Sequence, residues 1–423
     1  MHPGGGRFVS VSCCRARIGS VPKNLILFAA TTGYQIRVFA DAARRLGIDL
    51  TLATDRCHVL EDPWADRALA VKFDRIPESI EALRGLPCDG IAAVGDRPAV
   101  LAAEAAQMLA VPFHPPAAAQ ACHDKYLARQ LYQAAGLRVP AFFRAPLSED
   151  PRGIARRAPY PCVLKPLGLS ASRGVIRANT EEEFVAAFAR IRKIGEQHLQ
   201  VESYIEGREF AVEGLVTNGR FQALAIFDKP DPLEGPYFEE TIYVTPSGES
   251  SDVQQALIET AACAAEALGL SHGPVHAELR YNPVGAWMLE AHARPIGGLC
   301  AQALRFEGGV PLEELILRHA IGEDVARARL EPGASGVMMI PIPKGGIYES
   351  VEGVERARKV AGIEDVIITA RQGQRLIPLP EGSSYLGFIF ARGDSAAQVE
   401  KALRQSHAEL RFHIATALET FSP

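Results

Sequence analysis

Strand-forming and helix-forming segments alternate along the first part of the chain, and this alternation constrains the fold more than any other feature. The first strand-like segment is a continuous apolar run, and each later segment has the spacing of a helix or a short strand. In order, the segments are Asn24–Ala30, Ile36–Leu46, Asp49–Ala53, Gly90–Val94 and Pro98–Leu109. Buried strands separated by helices are typical of a parallel sheet covered on both faces. We therefore predict a doubly wound α/β unit.

Proline clusters and changes of pattern divide the chain further. Pro112, Pro115 and Pro116 follow the first unit, and Glu331–Ser335 follows a long stretch of mixed helices and strands. We expect an unpatterned, flexible tail at residues 1–20 and an α/β domain at 21–115. An α+β domain at 116–331 and a small α+β domain at 332–423 complete the prediction. The turn at 31–34 follows the first strand, where such sheets bind ligands.

Composition excludes several classes of function. The formal net charge of -5 gives no sign of a nucleic-acid-binding surface. No apolar run approaches the length of about 18 residues that a membrane span needs. The eight cysteines are scattered without a CxxC pair, which favours reduced thiols over a metal site or a disulfide framework. We expect a cytoplasmic protein that acts on small molecules, with no nucleic-acid or membrane partner.

Two lysines and a loop of small residues are candidates for phosphate binding. Lys125 stands in HDKYLAR, and Lys165 stands in PCVLKP near the end of a predicted buried strand. A desolvated ammonium needs a partner, and a polyphosphate would supply one. The loop that follows contains Ser170, Ser172 and Gly174, whose backbone amides and hydroxyls could approach phosphate oxygens. Each element alone is also compatible with a surface lysine or an ordinary hairpin turn.

The segment VESYIEGREF has the features of a nucleoside site. An apolar, extended stretch containing Glu202, Ser203 and Ile205 could lay its backbone along the edge of an adenine. Glu209 follows seven residues after Glu202 and could accept both ribose hydroxyls. An ordinary strand–turn–strand with solvated glutamates remains the alternative.

Two glutamates inside otherwise apolar strands are the sharpest signal. Glu278 lies in HAELRY and Glu290 in WMLEAHARP. Carboxylates on adjacent strands repel each other unless cations lie between them, and magnesium prefers carboxylate and phosphate oxygens. Arg294 follows four residues after Glu290 and could meet a developing phosphoryl charge.

The order of these elements resembles the ATP-grasp superfamily of carboxylate–amine ligases. The matching segments are HDKYLAR, PCVLKPLGLSASRGV, VESYIEGREF, HAELRYNP and MLEAHARPIGG. The segments GVMMIPIPKGGIYESVEG and PLPEGSSYLGFIFARG resemble the C-terminal domain of the L-amino-acid ligase branch. The resemblance implies a doubly wound pre-grasp domain at 21–115, a two-lobed ATP-grasp core at 116–331 and a ligase-type C-terminal domain.

The resemblance also implies roles for the candidate residues. Lys125 and Lys165 would hold ATP phosphates under the mobile loop Ser170–Gly174, and Lys165 and Arg294 would be catalytic. Glu202, Ser203 and Ile205 would bind adenine, and Glu209 would bind the ribose. Glu278 and Glu290 would bind two magnesium ions, with manganese as a substitute. Many members have Asn where this chain has His292, so metal binding by His292 is in doubt.

The implied reaction joins a small carboxylate, expected to be an amino acid, to an amine through an acyl phosphate, releasing ADP and phosphate. Glu239 or Glu240 would reach a substrate amino group, and His276 and Arg294 could also contact substrate. Carboxylation with bicarbonate, a purine-pathway ligation, or a non-catalytic nucleotide-binding module are the alternatives. The sequence does not identify the substrates, and the oligomeric state stays open, with a homodimer as one form.

Overall fold

The computed structural model describes residues 22–30, 35–55 and 68–416. The tail predicted at 1–20 and the turn predicted at 31–34 lie outside these residues. None of the described helices is both long enough and apolar enough to cross a lipid bilayer.

The first unit is a four-stranded parallel sheet with helices on both faces. Its strands are β1 (Asn24–Ala29), β2 (Asp49–Thr54), β3 (Ala68–Ala70) and β4 (Gly90–Val94), in the order β3-β2-β1-β4. Its helices are α1 (Ile36–Leu46), α2 (Ile76–Leu83) and α3 (Asp96–Leu109). Gly47 ends α1 in the left-handed conformation, with φ of 65°, as its position predicts. The predicted doubly wound unit is therefore present.

Both faces of this sheet are buried, and each face belongs to a different hydrophobic core. Ile26 and Phe28 pack with α3, whereas Leu25 and Leu27 pack with α1 and with a helix from later in the chain. Successive side chains of a strand point to opposite faces, so a continuous apolar run fits only a strand covered on both sides.

Two helices lead from this unit to a small lobe. The helices are α4 (Pro116–His123) and α5 (Lys125–Ala134), and Asp124 caps α5 by accepting from the amides of Tyr126 and Leu127. The lobe is an antiparallel sheet in the order β5-β8-β6-β7, covered by two helices. Its elements are β5 (Phe142–Pro146), α6 (Pro151–Ala155), β6 (Cys162–Pro166), β7 (Ile176–Ala178), α7 (Glu181–Arg192) and β8 (His198–Ser203).

An eight-stranded antiparallel sheet forms the large lobe and continues into the C-terminal domain. Its order is β13-β12-β9-β10-β11-β16-β20-β18. The large-lobe strands are β9 (Arg208–Thr217), β10 (Arg220–Asp228), β11 (Ile242–Thr245), β12 (Gly273–Asn282) and β13 (Gly285–His292). Helix α8 (Ser251–Leu268) covers one face. A short segment follows, with a 3₁₀ helix (Cys300–Ala303), β14 (Arg305–Phe306), β15 (Val310–Pro311) and α9 (Leu312–Ala320).

The C-terminal domain contributes three strands to this sheet. Its elements are β16 (Ala334–Ile340), β17 (Gly346–Glu352), α10 (Val354–Arg358), β18 (Ile363–Ile368), β19 (Arg375–Leu376), β20 (Gly387–Gly393), α11 (Ala396–Ala408) and β21 (Arg411–Ala415). Strands β19, β17 and β21 form a separate small sheet. Because β11 pairs with β16, the boundary predicted at 331 falls between two strands of one sheet.

Helix α9 carries a buried carboxyl group that has no hydrogen-bond partner among the described residues. Glu313 is 1% exposed and packs in the core that joins α1 to the large sheet. Burial disfavours its charged form and raises its pKa to about 7. Its neighbour Glu314 pairs with Arg45 and Arg318, which outweigh the effect of burial and lower its pKa.

We predict that Glu313→Gln changes how stability depends on pH. The folded-state pKa of Glu313 lies above its unfolded value, so the folded state binds its proton more tightly. The wild-type protein should therefore lose stability as the pH rises through about 7, by at most about 3 kcal/mol. Chemical denaturation across about pH 5.5 to 8 measures this, and Glu313→Gln should lack the decline.

Glu314→Gln is the matched control for this measurement. Because the pKa of Glu314 is lowered, its contribution changes only at more acidic pH. Its stability profile should run parallel to that of the wild type near neutrality. Parallel profiles for wild type and Glu313→Gln would contradict the assignment.

Candidate active site

A crevice between the small and large lobes collects most of the predicted side chains. It encloses about 700 Å³ of atom-free space between β6 and β8 on one side and β9, β12 and β13 on the other. The predicted residues that line it are Lys125, Lys165, Ser170, Ser172, Glu202, Ser203, Ile205, Glu209, Glu240, Glu278 and Glu290. Gly174, Glu239, His276 and Arg294 do not line this crevice.

Glu278 and Glu290 lie directly opposite each other on neighbouring strands. They are cross-strand partners in the register of β12 and β13, with side chains 16% and 27% exposed. A β-bulge follows this pair, between Glu278 and Leu279. Like charges at paired positions are unfavourable, so the pair needs cations around it.

Lysines supply these cations from two sides. The Lys125 ammonium lies 3.6 Å from Glu290, and the Lys229 ammonium lies 3.5 Å from Glu278. Burial alone would raise the pKa of Glu278, but Lys229 and His276 together outweigh burial and lower that pKa to about 2. The pKa of Glu290 also falls well below its usual range, because Lys125 and His292 outweigh burial. Both carboxylates are therefore charged at neutral pH.

Three carboxylates form a cluster that could bind a divalent cation. Oxygen atoms of Glu209, Glu240 and Glu278 all lie within 4.8 Å of one another. Lys229, only 2% exposed, pairs with all three carboxylates, and its distance to Glu209 is 2.9 Å. Hard carboxylate oxygens are the donors that magnesium prefers, so this cluster fits that ion.

Glu202 is the centre of a buried ion triad. Arg129 donates to it from Nε at 2.8 Å, and Lys165 lies 2.9 Å away on the neighbouring strand. Arg129 and Glu202 are each 2% exposed, whereas Lys165 is 12% exposed and lines the crevice. Arg129 and Lys165 outweigh the effect of burial and lower the pKa of Glu202 to about 2. The Glu202 carboxylate is thus committed to these cations.

The small-residue loop folds tightly over the end of the crevice that contains Lys125 and Lys165. Ala171 and Ser172 both have left-handed backbones, with φ of 55° and 54°. Gly174 is also left-handed, and a Cβ there would lie 2.6 Å from Pro166. Only glycine fits that position without a shift of the loop. Lys125 donates from its ammonium to the carbonyl of Leu169 and so ties α5 to this loop.

The other end of the crevice is apolar and contains an arginine that the sequence analysis missed. Leu233, Phe238 and Leu289 are among its apolar walls. Arg280 donates to the Ile205 carbonyl at 2.7 Å and to Glu209 at 2.9 Å. These bonds hold the VESYIEGREF segment against β12, with both carboxylate oxygens of Glu209 engaged.

Arg294 is paired to a residue of the first domain. Its Nε donates to Asp96 at 2.8 Å, and Asp96 also lies 2.9 Å from Nδ1 of His292. His292 Nε2 is 3.5 Å from Glu290, so Asp96, His292 and Glu290 form a connected charged chain. Arg294 and His292 outweigh burial and keep the pKa of Asp96 well below its usual range.

His276 and Glu239 lie to the side of the crevice. His276 is 3% exposed and sits between Glu213 and Glu278, 3.2 Å from the latter, so it contacts the site through Glu278. Glu239 is half-buried, forms no ion pair among the described residues, and has a pKa raised by burial. Glu240, in contrast, is tied to Lys229.

Four important residues escaped the sequence analysis. Arg129 and Arg280 resemble surface residues in the sequence but are buried in ion pairs. Lys229 begins an irregular Pro-rich loop that has no periodicity to interpret. Asp96 had a usable signal, since it directly follows a strand of the parallel sheet, where ligand-binding side chains are placed.

Comparison with known proteins identifies two domains and the overall fold. Residues 158–303 match the model of the ATP-grasp domain, and residues 338–415 match L-amino acid ligase C-terminal domain 2. The structure superposes on an L-amino acid ligase from Bacillus licheniformis with a TM-score of 0.79 and 25% identity, covering 94% of this chain and 100% of that one.

Two curated relatives are more distant. An uncharacterized protein of Sinorhizobium fredii is 22% identical over 298 residues, covering 69% of this chain and 61% of that protein. Alanine–anticapsin ligase of Bacillus subtilis is 28% identical over 225 residues, covering 47% of each chain. The alignments thus span about half to three-fifths of these relatives.

The chain therefore contains an ATP-grasp domain at residues 158–303, and its fold confirms the predicted ATP-grasp architecture. Its ATP-grasp domain is followed by a C-terminal domain of the L-amino acid ligase type, as the C-terminal segments predicted.

We predict that Glu202 is required mainly for stability. Glu202→Gln leaves the charge of buried Arg129 uncompensated, which should destabilise the fold by about 3 kcal/mol or more. Lys165→Met removes a partly exposed cation and should cost clearly less stability while weakening nucleotide binding. Urea denaturation and nucleotide titration of both variants separate these effects. Equal stability losses in the two variants would contradict a mainly structural role for Glu202 and a mainly nucleotide-binding role for Lys165.

Proposed function

We propose that this protein is an ATP-dependent, ADP-forming ligase that joins the carboxylate of an amino acid to an amine. One observation carries the proposal. Lys125, Lys165 and the paired carboxylates Glu278 and Glu290 line one crevice, beneath a loop of small residues. The C-terminal domain of the L-amino acid ligase type favours an amino acid as the carboxylate substrate over bicarbonate.

The crevice suits ATP in one orientation. The apolar end between Leu233 and Phe238 accepts the adenine, and the amide of Ile205 has no partner among the described residues, so it can donate to the base. The Ile205 carbonyl and Glu209 are already fixed by Arg280. Glu209 then faces the ribose, and the triphosphate extends toward the lysines.

Lys125 and Lys165 are free to exchange partners when phosphates arrive. Both side chains are partly exposed, at 13% and 12%: Lys125 lies near Glu290 and donates to the Leu169 carbonyl, and Lys165 is the crevice-facing member of the Glu202 triad. Phosphate oxygens compete well for ammonium groups in a crevice from which water is excluded. Lys229 can likewise give up some of its ion pairs with Glu209, Glu240 and Glu278, so that their carboxylates can bind a divalent cation.

Glu278 and Glu290 would hold magnesium, with Glu240 as a further donor that the sequence analysis assigned to the substrate. When bound, magnesium neutralises phosphate charge and so favours phosphoryl transfer. His276 and His292 buttress the two glutamates from behind, at 3.2 and 3.5 Å, and so fix the direction of their carboxylates.

The proposed reaction has two balanced steps. A carboxylate oxygen of the first substrate attacks the γ-phosphorus, the bond to the bridging oxygen breaks, and ADP leaves. An amine then attacks the acyl carbon, the bond to the phosphate breaks, and inorganic phosphate leaves as the amine loses a proton. Positioning and charge neutralisation dominate phosphoryl transfer. Arg294, aligned by Asp96 beside the crevice, would stabilise charge on the acyl phosphate.

Glu239 is the better candidate of the two glutamates for the amine. Glu240 already balances the charge of Lys229, whereas Glu239 has no ion-pair partner among the described residues. Its pKa is raised by burial, which makes it a stronger base for an ammonium proton. Glu239 would therefore hold the amine and accept its proton.

We predict that Glu239→Gln raises KM for the amine substrate by about 10-fold or more, with KM for ATP nearly unchanged, because a charge-assisted hydrogen bond is lost. Steady-state kinetics with each substrate varied measures the change. Glu234→Gln, on the same loop but exposed, is the control and should behave like wild type. An equal rise of both KM values would argue against Glu239 as the amine-binding group.

A phosphate-release screen tests the proposed function itself. Purified protein is incubated with ATP, magnesium and a matrix of amino acids and small carboxylates, and amide products are identified by mass spectrometry. We expect release of phosphate only with particular pairs of substrates and none with bicarbonate. Release with bicarbonate alone would favour a carboxylase, and no substrate-dependent release would favour a non-catalytic module.

We predict that Glu290→Gln lowers this activity at least about 100-fold, because a carboxylate that holds the cation is lost. Glu259→Gln, exposed on α8, serves as the control. Unchanged turnover in Glu290→Gln would contradict the proposed site.

A further inference from the structure

A short segment of the C-terminal domain reaches across to the small lobe. We call residues 378–383, between β19 and β20, the strap. The strap is a tight turn, in which the amide of Gly382 donates to the carbonyl of Pro378 at 2.9 Å. A Cβ at Gly382 would lie 1.7 Å from the carbonyl oxygen of Ile377, so the turn depends on glycine there. The turn points Pro380 and Glu381 toward the small lobe.

The backbone of the strap bonds directly to the small-residue loop Ser170–Gly174, which we call the phosphate loop. The amide of Gly174 donates to the carbonyl of Pro380 at 2.8 Å. Nε of Arg173 donates to the carbonyl of Glu381 at 3.1 Å. Two consecutive residues of the loop, Arg173 and Gly174, are therefore anchored by the C-terminal domain, in addition to the bond from the Arg173 amide to the Ser170 carbonyl within the loop.

The side chain of the strap holds the helix behind the loop. Both carboxylate oxygens of Glu381 accept from Arg190 of α7, at 2.8 and 3.0 Å, in the two-pronged geometry that favours this ion pair. Arg190 also donates to the hydroxyl of Tyr237, on the loop that leads to Glu239 and Glu240. Glu381 and Arg190 therefore connect the C-terminal domain to the small lobe and to the loop between β10 and β11, which we call the substrate loop because it carries Glu239 and Glu240.

The phosphate loop needs such an external support. Left-handed backbones at Ala171 and Ser172 are unfavourable, and such residues persist only where their surroundings determine them. Opening of the crevice between the two lobes would expose an acyl phosphate to water.

We propose that the strap holds the phosphate loop and the small lobe closed over the crevice, and that Glu381 is the positioning residue of this contact. The effect of the strap on catalysis rests on the proposed function. The contact between the strap and the small lobe does not depend on that function. Glu381 touches no substrate. It acts through Arg190 and through the carbonyl that anchors Arg173.

Hydrogen exchange of the ligand-free protein tests the structural half of the proposal. Because an exposed ion pair contributes little to global stability, Glu381→Ala should leave the unfolding transition nearly unchanged. Exchange in residues 168–178 should become about two- to five-fold faster, while exchange in β1 and β4 stays the same. The reversed pair Arg190→Glu with Glu381→Arg should restore slow exchange.

Glu409→Ala is the matched control, since Glu409 pairs with Arg356 within the same domain and is equally exposed, at 42% against 43% for Glu381. It should not alter exchange in 168–178. No change in Glu381→Ala, or an equal change in Glu409→Ala, would overturn the proposal.

Steady-state kinetics test the catalytic half of the proposal about the strap. In Glu381→Ala a loosened loop should admit water, so that more phosphate is released per amide formed, and KM for ATP should rise. The reversed pair should restore the ratio. An unchanged ratio together with faster exchange would show that the strap does not act in catalysis. Absence of amide synthesis in the wild type would instead contradict the proposed function, with the exchange result standing by itself.

Discussion

The cross-strand pair of Glu278 and Glu290 is the unfavourable interaction around which the rest of the site is organised. Two charged carboxylates at paired positions of β12 and β13 repel each other, and the two strands themselves supply only His276 and His292 beside them. The compensating ammonium groups come from elsewhere, Lys125 from α5 and Lys229 from the end of β10. The balance of charge therefore depends on the packing of α5, the large sheet and the loop after β10, which links the active site to the tertiary structure.

The cations of the site fall into two classes with different roles. Arg129 and Arg280 are buried, donate to fixed carboxylates and also to main-chain carbonyls, and so act as permanent supports. Lys125 and Lys165 have ammonium groups at the crevice surface. A lysine ammonium is a point charge on a flexible chain, which can change partner, whereas a guanidinium with several directed bonds cannot do so cheaply. The division fits a site whose charges must rearrange when a triphosphate enters.

The sequence predicted the repeating parts of this structure and missed the irregular ones. Apolar strands with helices between them indicated the first sheet, and lone glutamates in apolar strands indicated Glu278 and Glu290, because both signals lie within single elements. Lys229 and Arg129 became visible only in three dimensions, because Arg129 meets its partner across a large sequence separation and Lys229 lies in an irregular loop. Strand β11 was not predicted from the sequence for a similar reason, because its partner β16 lies far along the chain.

The pairing of β11 with β16 also changes how the C-terminal domain should be regarded. Strands β16, β20 and β18 extend the sheet that carries Glu278 and Glu290, so the domain is continuous with the large lobe and is not a separate appendage. It reaches the crevice region at two points. The strap contacts the phosphate loop, and Tyr385 lies near Glu240, whose charge adds to burial in raising the pKa of the phenol. If the proposed function holds, a domain that borders both the small-residue loop and the loop carrying Glu239 and Glu240 would help to determine which substrates the site accepts.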